Sequence, residues 1–138
     1  MRDSLPTVLV VDDEKTLLTL MTRLIEKAGY RVLSAASGDE ARSLFAAHGN
    51  ELDLVVLDVT MPGGQGAEVL MPEFLAARPE LSVVVTSGDE PPEALRVELE
   101  RVGGRFLKKP FASRALRALL EEVAGTGEVA GAVAPEPR

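Results

Sequence analysis

Four apolar runs in this 138-residue chain end on side chains suited to a metal ion or a phosphate. Val8 to Val11 leads into Asp12-Asp13, Leu54 to Leu57 into Asp58, Val83 to Val85 into Thr86-Ser87, and Phe106-Leu107 into Lys108-Lys109. Three carboxylates brought together with a hydroxyl and a lysine need a compensating reason, because like charges repel and desolvation is costly. A divalent cation supplies one. Magnesium favours oxygen ligands, typically one or two protein carboxylates, waters and a phosphate. The lysine then offers the positive charge that a phosphoryl oxygen requires.

Each member also has a plainer reading. An acidic pair after a strand often marks a helix N-terminus, where carboxylates favour the positive end of the dipole. Asp58 and Ser87 could be turn residues, and Lys109 before Pro110 a solvated loop charge. The joint placement at successive strand ends is the specific signal.

That placement depends on the elements between. Thr7 to Val11 is apolar without alternation, as in a parallel strand buried on both faces. Glu14 to Ala28 reads as a helix with Leu17, Met21, Leu24, Ile25 and Ala28 inward, stopped by Gly29. Strand Arg31 to Ala35, helix Asp39 to His48 (Ala41, Leu44 and Phe45 inward) and strand Leu54 to Asp58 follow. Pro62-Gly63-Gly64 turns the chain into a helix over 67–77, closed by Pro79. Ser82 to Thr86 is a fourth strand, Leu95, Leu99 and Val102 mark a fourth helix, and Gly103-Gly104 ends it. Phe106 to Lys108 and Leu116, Leu119, Leu120 and Val123 complete the alternation. Five strands alternating with five helices predict a doubly wound α/β fold, a parallel sheet with helices on both faces and right-handed crossovers. In such a sheet the working groups lie at the carboxyl ends of the strands.

Composition narrows the function. The length suits one domain, and the 46% hydrophobic content is ordinary for a globular chain. No cysteine is present, which excludes disulfides, thiolate zinc and a cysteine nucleophile. No apolar run reaches the roughly 20 residues of a membrane span, and Met1 to Pro6 lacks the apolar core of a signal peptide. The expected location is cytoplasmic. A net charge of −7, with cations scattered along the sequence, argues against direct nucleic-acid binding. A single tyrosine and no tryptophan leave little to stack bases. Gly63, Gly64 and Gly66 fit no phosphate-loop pattern and are read as turn glycines. His48 is read as a surface residue at a helix end. The expected organisation is an extension over 1–6, a domain over 7–124 and a flexible tail over 125–138, rich in glycine, alanine and proline.

Val-Leu-Val-Val-Asp-Asp-Glu (8–14), Asp-Leu-Val-Val-Leu-Asp-Val-Thr-Met-Pro-Gly (53–63), Thr-Ser-Gly (86–88) and Phe-Leu-Lys-Lys-Pro-Phe (106–111) resemble the receiver domains of bacterial two-component response regulators. The resemblance covers about residues 7 to 124 with the spacing intact. It implies a flavodoxin-like sheet of strand order 2-1-3-4-5. It implies that Asp58 accepts a phosphoryl group from a phosphohistidine on a sensor histidine kinase or phosphotransfer protein. Asp13, Asp58 and the backbone carbonyl of Thr60 would hold Mg2+, with Asp12 acting directly or through water. Lys109 would meet one phosphoryl oxygen and Ser87 would donate to another. Pro110 would follow a cis peptide bond, and Phe106 would be the aromatic switch that turns inward as Ser87 moves. The signal would leave through the surface of the fourth helix, fifth strand and fifth helix to a downstream protein target, with a homodimer as one outcome of phosphorylation.

Several positions depart from the commonest pattern of that family. Ser87 stands for threonine, and Phe106 for tyrosine, which removes a phenolic hydrogen bond. Pro91-Pro92 stiffens the loop after Ser87. Thr60 and Asp89, two residues beyond Asp58 and Ser87, occupy places that tune dephosphorylation in receivers. The chain reads as a stand-alone receiver or as the receiver of a hybrid sensor kinase, and as a switch whose catalysis is confined at most to its own phosphorylation and dephosphorylation. Two other functions fit the residues less well. A haloacid dehalogenase-type phosphohydrolase needs a second aspartate where Thr60 stands, and a cap domain. A binding scaffold without phosphoryl turnover has no need to keep mutually repelling carboxylates.

Overall fold

The apolar runs of the sequence become the strands of one sheet. The computed structural model describes residues 5–124. Its strands are β1 (Thr7–Val11), β2 (Arg31–Ala35), β3 (Leu52–Asp58), β4 (Ser82–Ser87) and β5 (Arg105–Lys108). They alternate with α1 (Lys15–Lys27), α2 (Gly38–His48), α3 (Ala67–Ala77), α4 (Glu93–Arg101) and α5 (Ser113–Ala124). All strand pairs are parallel, in the order β2-β1-β3-β4-β5. The flavodoxin-like topology expected from the sequence is therefore the one observed. The expected tail, 125–138, lies outside the described residues, as do residues 1–4.

Each sheet face carries its own core. Leu9, Val55, Leu57, Val83 and Val85 pack with Leu70 and Phe74 of α3 and Leu95 and Leu99 of α4. Val8, Val10, Leu54, Val56 and Val84 pack with Met21 and Ile25 of α1 and Leu116 and Leu120 of α5. β1 is buried at every position and β3 at all but Asp53, as central parallel strands require. The edge strand β2 is buried only at Ala35.

Element limits differ from the sequence reading where polar residues hide a strand. β3 begins at Leu52, two residues before the apolar run, because the Asp53 carboxylate accepts a hydrogen bond from the Thr7 amide at 2.8 Å. The β1–β3 register shifts at that point. Similarly, β4 extends through Ser87 and β5 starts at Arg105. Glu14 occupies the N-cap position of α1 without a side-chain capping bond, and the helix buries Leu18, Met21 and Ile25. Leu17, Leu24 and Ala28, expected inward, lie at the margin of that face, partly buried. The reason is rotation: a 3.6-residue period defines a stripe but leaves its centre uncertain by one neighbour. α2 opens on Ser37, whose hydroxyl accepts from the Glu40 amide at 3.1 Å. Pro72 sits on the exposed side of α3, and buried Met71 and Phe74 keep the helix in place despite the missing donor.

Candidate functional site

The carboxyl ends of β1, β3, β4 and β5 bring the predicted residues to one edge. Asp58 ends β3, and alternation along the strand puts it on the same face as Leu54 and Val56. It is 3% exposed, and Asp12, immediately after β1, is fully buried. Asp13 is exposed beside them. One carboxylate oxygen from each of the three lies within 4.8 Å of the others. Lys109 reaches in from beyond β5, with Nζ 2.9 Å from Asp12 Oδ2 and 3.3 Å from Asp58 Oδ1.

The backbone prepares each arrival. Asp12 Oδ1 accepts from the Glu14 amide at 2.9 Å, which fixes the carboxylate at the start of α1. Its other oxygen has no well-angled hydrogen bond among the described residues, and the Lys109 contact is ionic by distance. The Lys109 amide donates to the Ser87 carbonyl at 2.8 Å, tying β5's exit to the end of β4. The Lys109–Pro110 peptide is cis, as anticipated. Gly66 closes the β3–α3 loop so tightly that a Cβ there would lie 2.2 Å from the Val59 carbonyl oxygen and 2.6 Å from that of Asp58. Gly63 turns the same loop with φ of 73°.

Electrostatics record the crowding. Burial, reinforced by the Asp12 charge, pushes the Asp58 carboxyl up to about 6 despite the opposing pull of Lys109. Burial pushes the Lys109 ammonium down, but the close carboxylates of Asp12 and Asp58 outweigh it and leave its pKa raised. Lys109 thus remains a cation held between two carboxylates. The cluster carries more negative charge than one lysine offsets, which suits a hard divalent cation with oxygen ligands.

The other predicted residues are placed differently. Ser87 is 2% exposed, and its hydroxyl accepts from the Asp89 amide at 3.1 Å. By strand alternation and register, Ser87 follows Val85 on the α3–α4 face of the sheet, and Phe106 pairs with Val85 on that same face. Phe106 is partly buried against that core. Thr60 is exposed in the loop after Asp58. His48 is half-buried at the end of α2, 3.7 Å from Glu51 and away from the acidic cluster. Two features escaped the sequence reading. Thr86, named at its strand end by the sequence, proves to be in register with Asp58 and to hold a buried hydroxyl without a hydrogen-bond partner among the described residues, visible only once β4 is known to run past it. Arg42 joins α2, the β3–α3 loop and α3 through residues 23 and 31 positions away, a separation no local pattern encodes.

Fold and edge together define a doubly wound domain with an acidic, lysine-bearing site. The chain belongs to the response regulator receiver domain family, whose model matches residues 8–121. Receivers of this kind are components of two-component signalling systems, and they act as switches rather than as enzymes in the ordinary sense. The chain is similar to the alkaline phosphatase synthesis transcriptional regulatory protein PhoP of Bacillus subtilis, with 32% identity over 123 residues, 89% of this chain and 50% of that protein. It is also similar to the sensor kinase CckA of Brucella abortus, 35% identical over 118 residues, 85% of this chain and 12% of that one. A receiver domain protein from Clostridium thermocellum superimposes with a TM-score of 0.80 at 25% identity, covering 91% of this chain and 98% of its own. The chain spans half or less of the length of these two sequence relatives. No described helix is long and apolar enough to cross a membrane.

Proposed function

We propose that Asp58 is the phosphoacceptor of this receiver, taking the group from a phosphohistidine on a sensor histidine kinase or phosphotransfer protein. The observation that carries the reading is a buried Asp58 with Lys109 Nζ at 3.3 Å and two further carboxylates alongside. An Asp58 oxygen attacks phosphorus as the phosphorus–nitrogen bond breaks, and the bonding pair leaves with the imidazole. Magnesium held by Asp13, Asp58 and the Thr60 carbonyl, with Asp12 directly or through water, would neutralise charge on the phosphoryl oxygens. Lys109 exchanges its contact with Asp58 for one with a phosphoryl oxygen. Ser87 accepts from Asp89 and so keeps its own proton free to donate to another.

The switch follows from shared placement. Ser87 and Phe106 lie on one sheet face, so motion of the hydroxyl toward the phosphoryl group frees room for the ring to turn inward. The consequence is a changed α4–β5–α5 surface for a downstream protein or a second copy. A groove of about 730 Å³ that includes Leu17, Leu20, Leu24 and Phe111 borders Lys109 and Pro110 and suits the approach of the phosphoryl donor. We assign the receiver to residues 7–124 and the location to the cytoplasm.

An intact-mass assay with acetyl phosphate and magnesium tests the assignment. Wild type should gain one phosphoryl group, and Asp58→Asn or magnesium-free wild type none. No adduct on wild type would instead support a scaffold that signals by contact.

A further inference from the structure

The β3–α3 loop that carries Thr60 is gripped from outside the site. Arg42 Nη1 donates to Gln65 Oε1 at 2.5 Å, while its Nε and Nη2 donate to the two carboxylate oxygens of Glu73 at 2.8 and 2.9 Å. One guanidinium on α2 therefore holds the end of the loop and the middle of α3 together. Gln65 is also seated directly on α2: a Cβ at Gly38 would lie 2.6 Å from Gln65 Cβ and 3.0 Å from its carbonyl oxygen. The next residue, Gly66, lies against the carbonyls of Asp58 and Val59. The loop is thus pinned at Asp58 on one side and at Gln65–Gly66 on the other, with Thr60 between.

We propose that Arg42 and Gln65 form a clamp that positions the β3–α3 loop, so that Arg42 acts as a positioning residue for the metal and phosphoryl site without touching either. The inference rests on the magnesium and phosphoacceptor reading above and adds residues to it. The physical argument is one of scale. An exposed ion pair contributes little to global stability. Loops, however, open locally at small free-energy cost, so a bidentate pair that closes one changes its open fraction severalfold. A loop carbonyl presented to a cation depends on that fraction, as supporting contacts around metal ligands generally do.

The test uses the full chain and two readouts. Magnesium affinity is measured by isothermal titration, and amide exchange of residues 59–66 is measured in EDTA, where no metal contributes. Wild type is compared with Arg42→Ala, Gln65→Ala, the double variant, and Arg31→Ala, which breaks an exposed pair with Glu51 at the other end of the sheet. Arg42→Ala and Gln65→Ala should each weaken magnesium binding roughly tenfold and speed loop exchange, with the double variant no worse than either single one. Arg42→Lys keeps the charge but loses the fork and should fall between. Arg31→Ala should match wild type in both readouts. Unchanged affinity and exchange in the single variants, or fully additive losses in the double one, would overturn the clamp. If wild type itself bound no magnesium, the site reading would fail, and the exchange rates in EDTA would still decide the clamp.

Discussion

The interior of the sheet and its carboxyl edge lie within the same strands yet are built on opposite terms. In β3, Leu54 to Leu57 are fully buried among apolar partners, and every contact there favours the fold. One residue later Asp58 is nearly as buried, but its neighbours are Asp12, Asp13 and a single lysine. Burial that stabilises the first four residues destabilises the fifth. The difference teaches that this domain holds unfavourable charge at the edge of a core strong enough to carry it.

Substitutions should separate the two regions. Leu54→Ala removes a fully buried side chain and should cost roughly 2–5 kcal/mol in urea unfolding, by the same amount with and without magnesium. A loss that depended on magnesium would blur the distinction. At the edge, magnesium at a hundredfold excess over its Kd should add about 2.7 kcal/mol to wild type. Asp13→Ala should lose most of that gain, and equal melting shifts in both proteins would remove Asp13 from the metal set.

The next effect has the opposite sign from most substitutions. In EDTA, Asp58→Asn should raise stability by up to about 3 kcal/mol, because the Asp58 carboxyl sits near 6 when folded and near 3.8 otherwise. With the folded value raised, the native state binds more protons between those limits. Metal-free wild type should therefore lose stability as pH rises from about 4 to about 6 and level off above, a slope that Asp58→Asn should flatten. A wild type that instead gained stability over that interval would show that Lys109 more than compensates the cluster. The smallest effect belongs to neither region: breaking the exposed Arg31–Glu51 pair should change stability by less than about 1 kcal/mol.

Much of this was written locally. Continuous apolar runs at 8–11, 54–57 and 83–85 predicted buried parallel strands, and the polar residue after each run is at the carboxyl edge in the structure. Polar interruptions were harder to read. Asp53 concealed the start of β3 because its carboxylate bonds the Thr7 amide, a partner 46 residues away. Likewise the buried stripe of α1 takes in Leu18 beside Met21 and Ile25 and leaves Leu17, Leu24 and Ala28 at its margin, since periodicity sets the width of an apolar face more firmly than its rotation.

The sequence by itself determined the alternation of five strands with five helices, the edge on which chemistry gathers and the residue types present there, because these follow from hydrophobic run length and alternation; the strand order 2-1-3-4-5 came from the family resemblance. Only the tertiary structure decided how those residues meet. Lys109 lies between Asp12 and Asp58, Ser87 and Phe106 share a face, and Arg42 reaches both Gln65 and Glu73. Such contacts join residues from different elements, and their geometry depends on helix rotation, loop path and packing that no local spacing specifies.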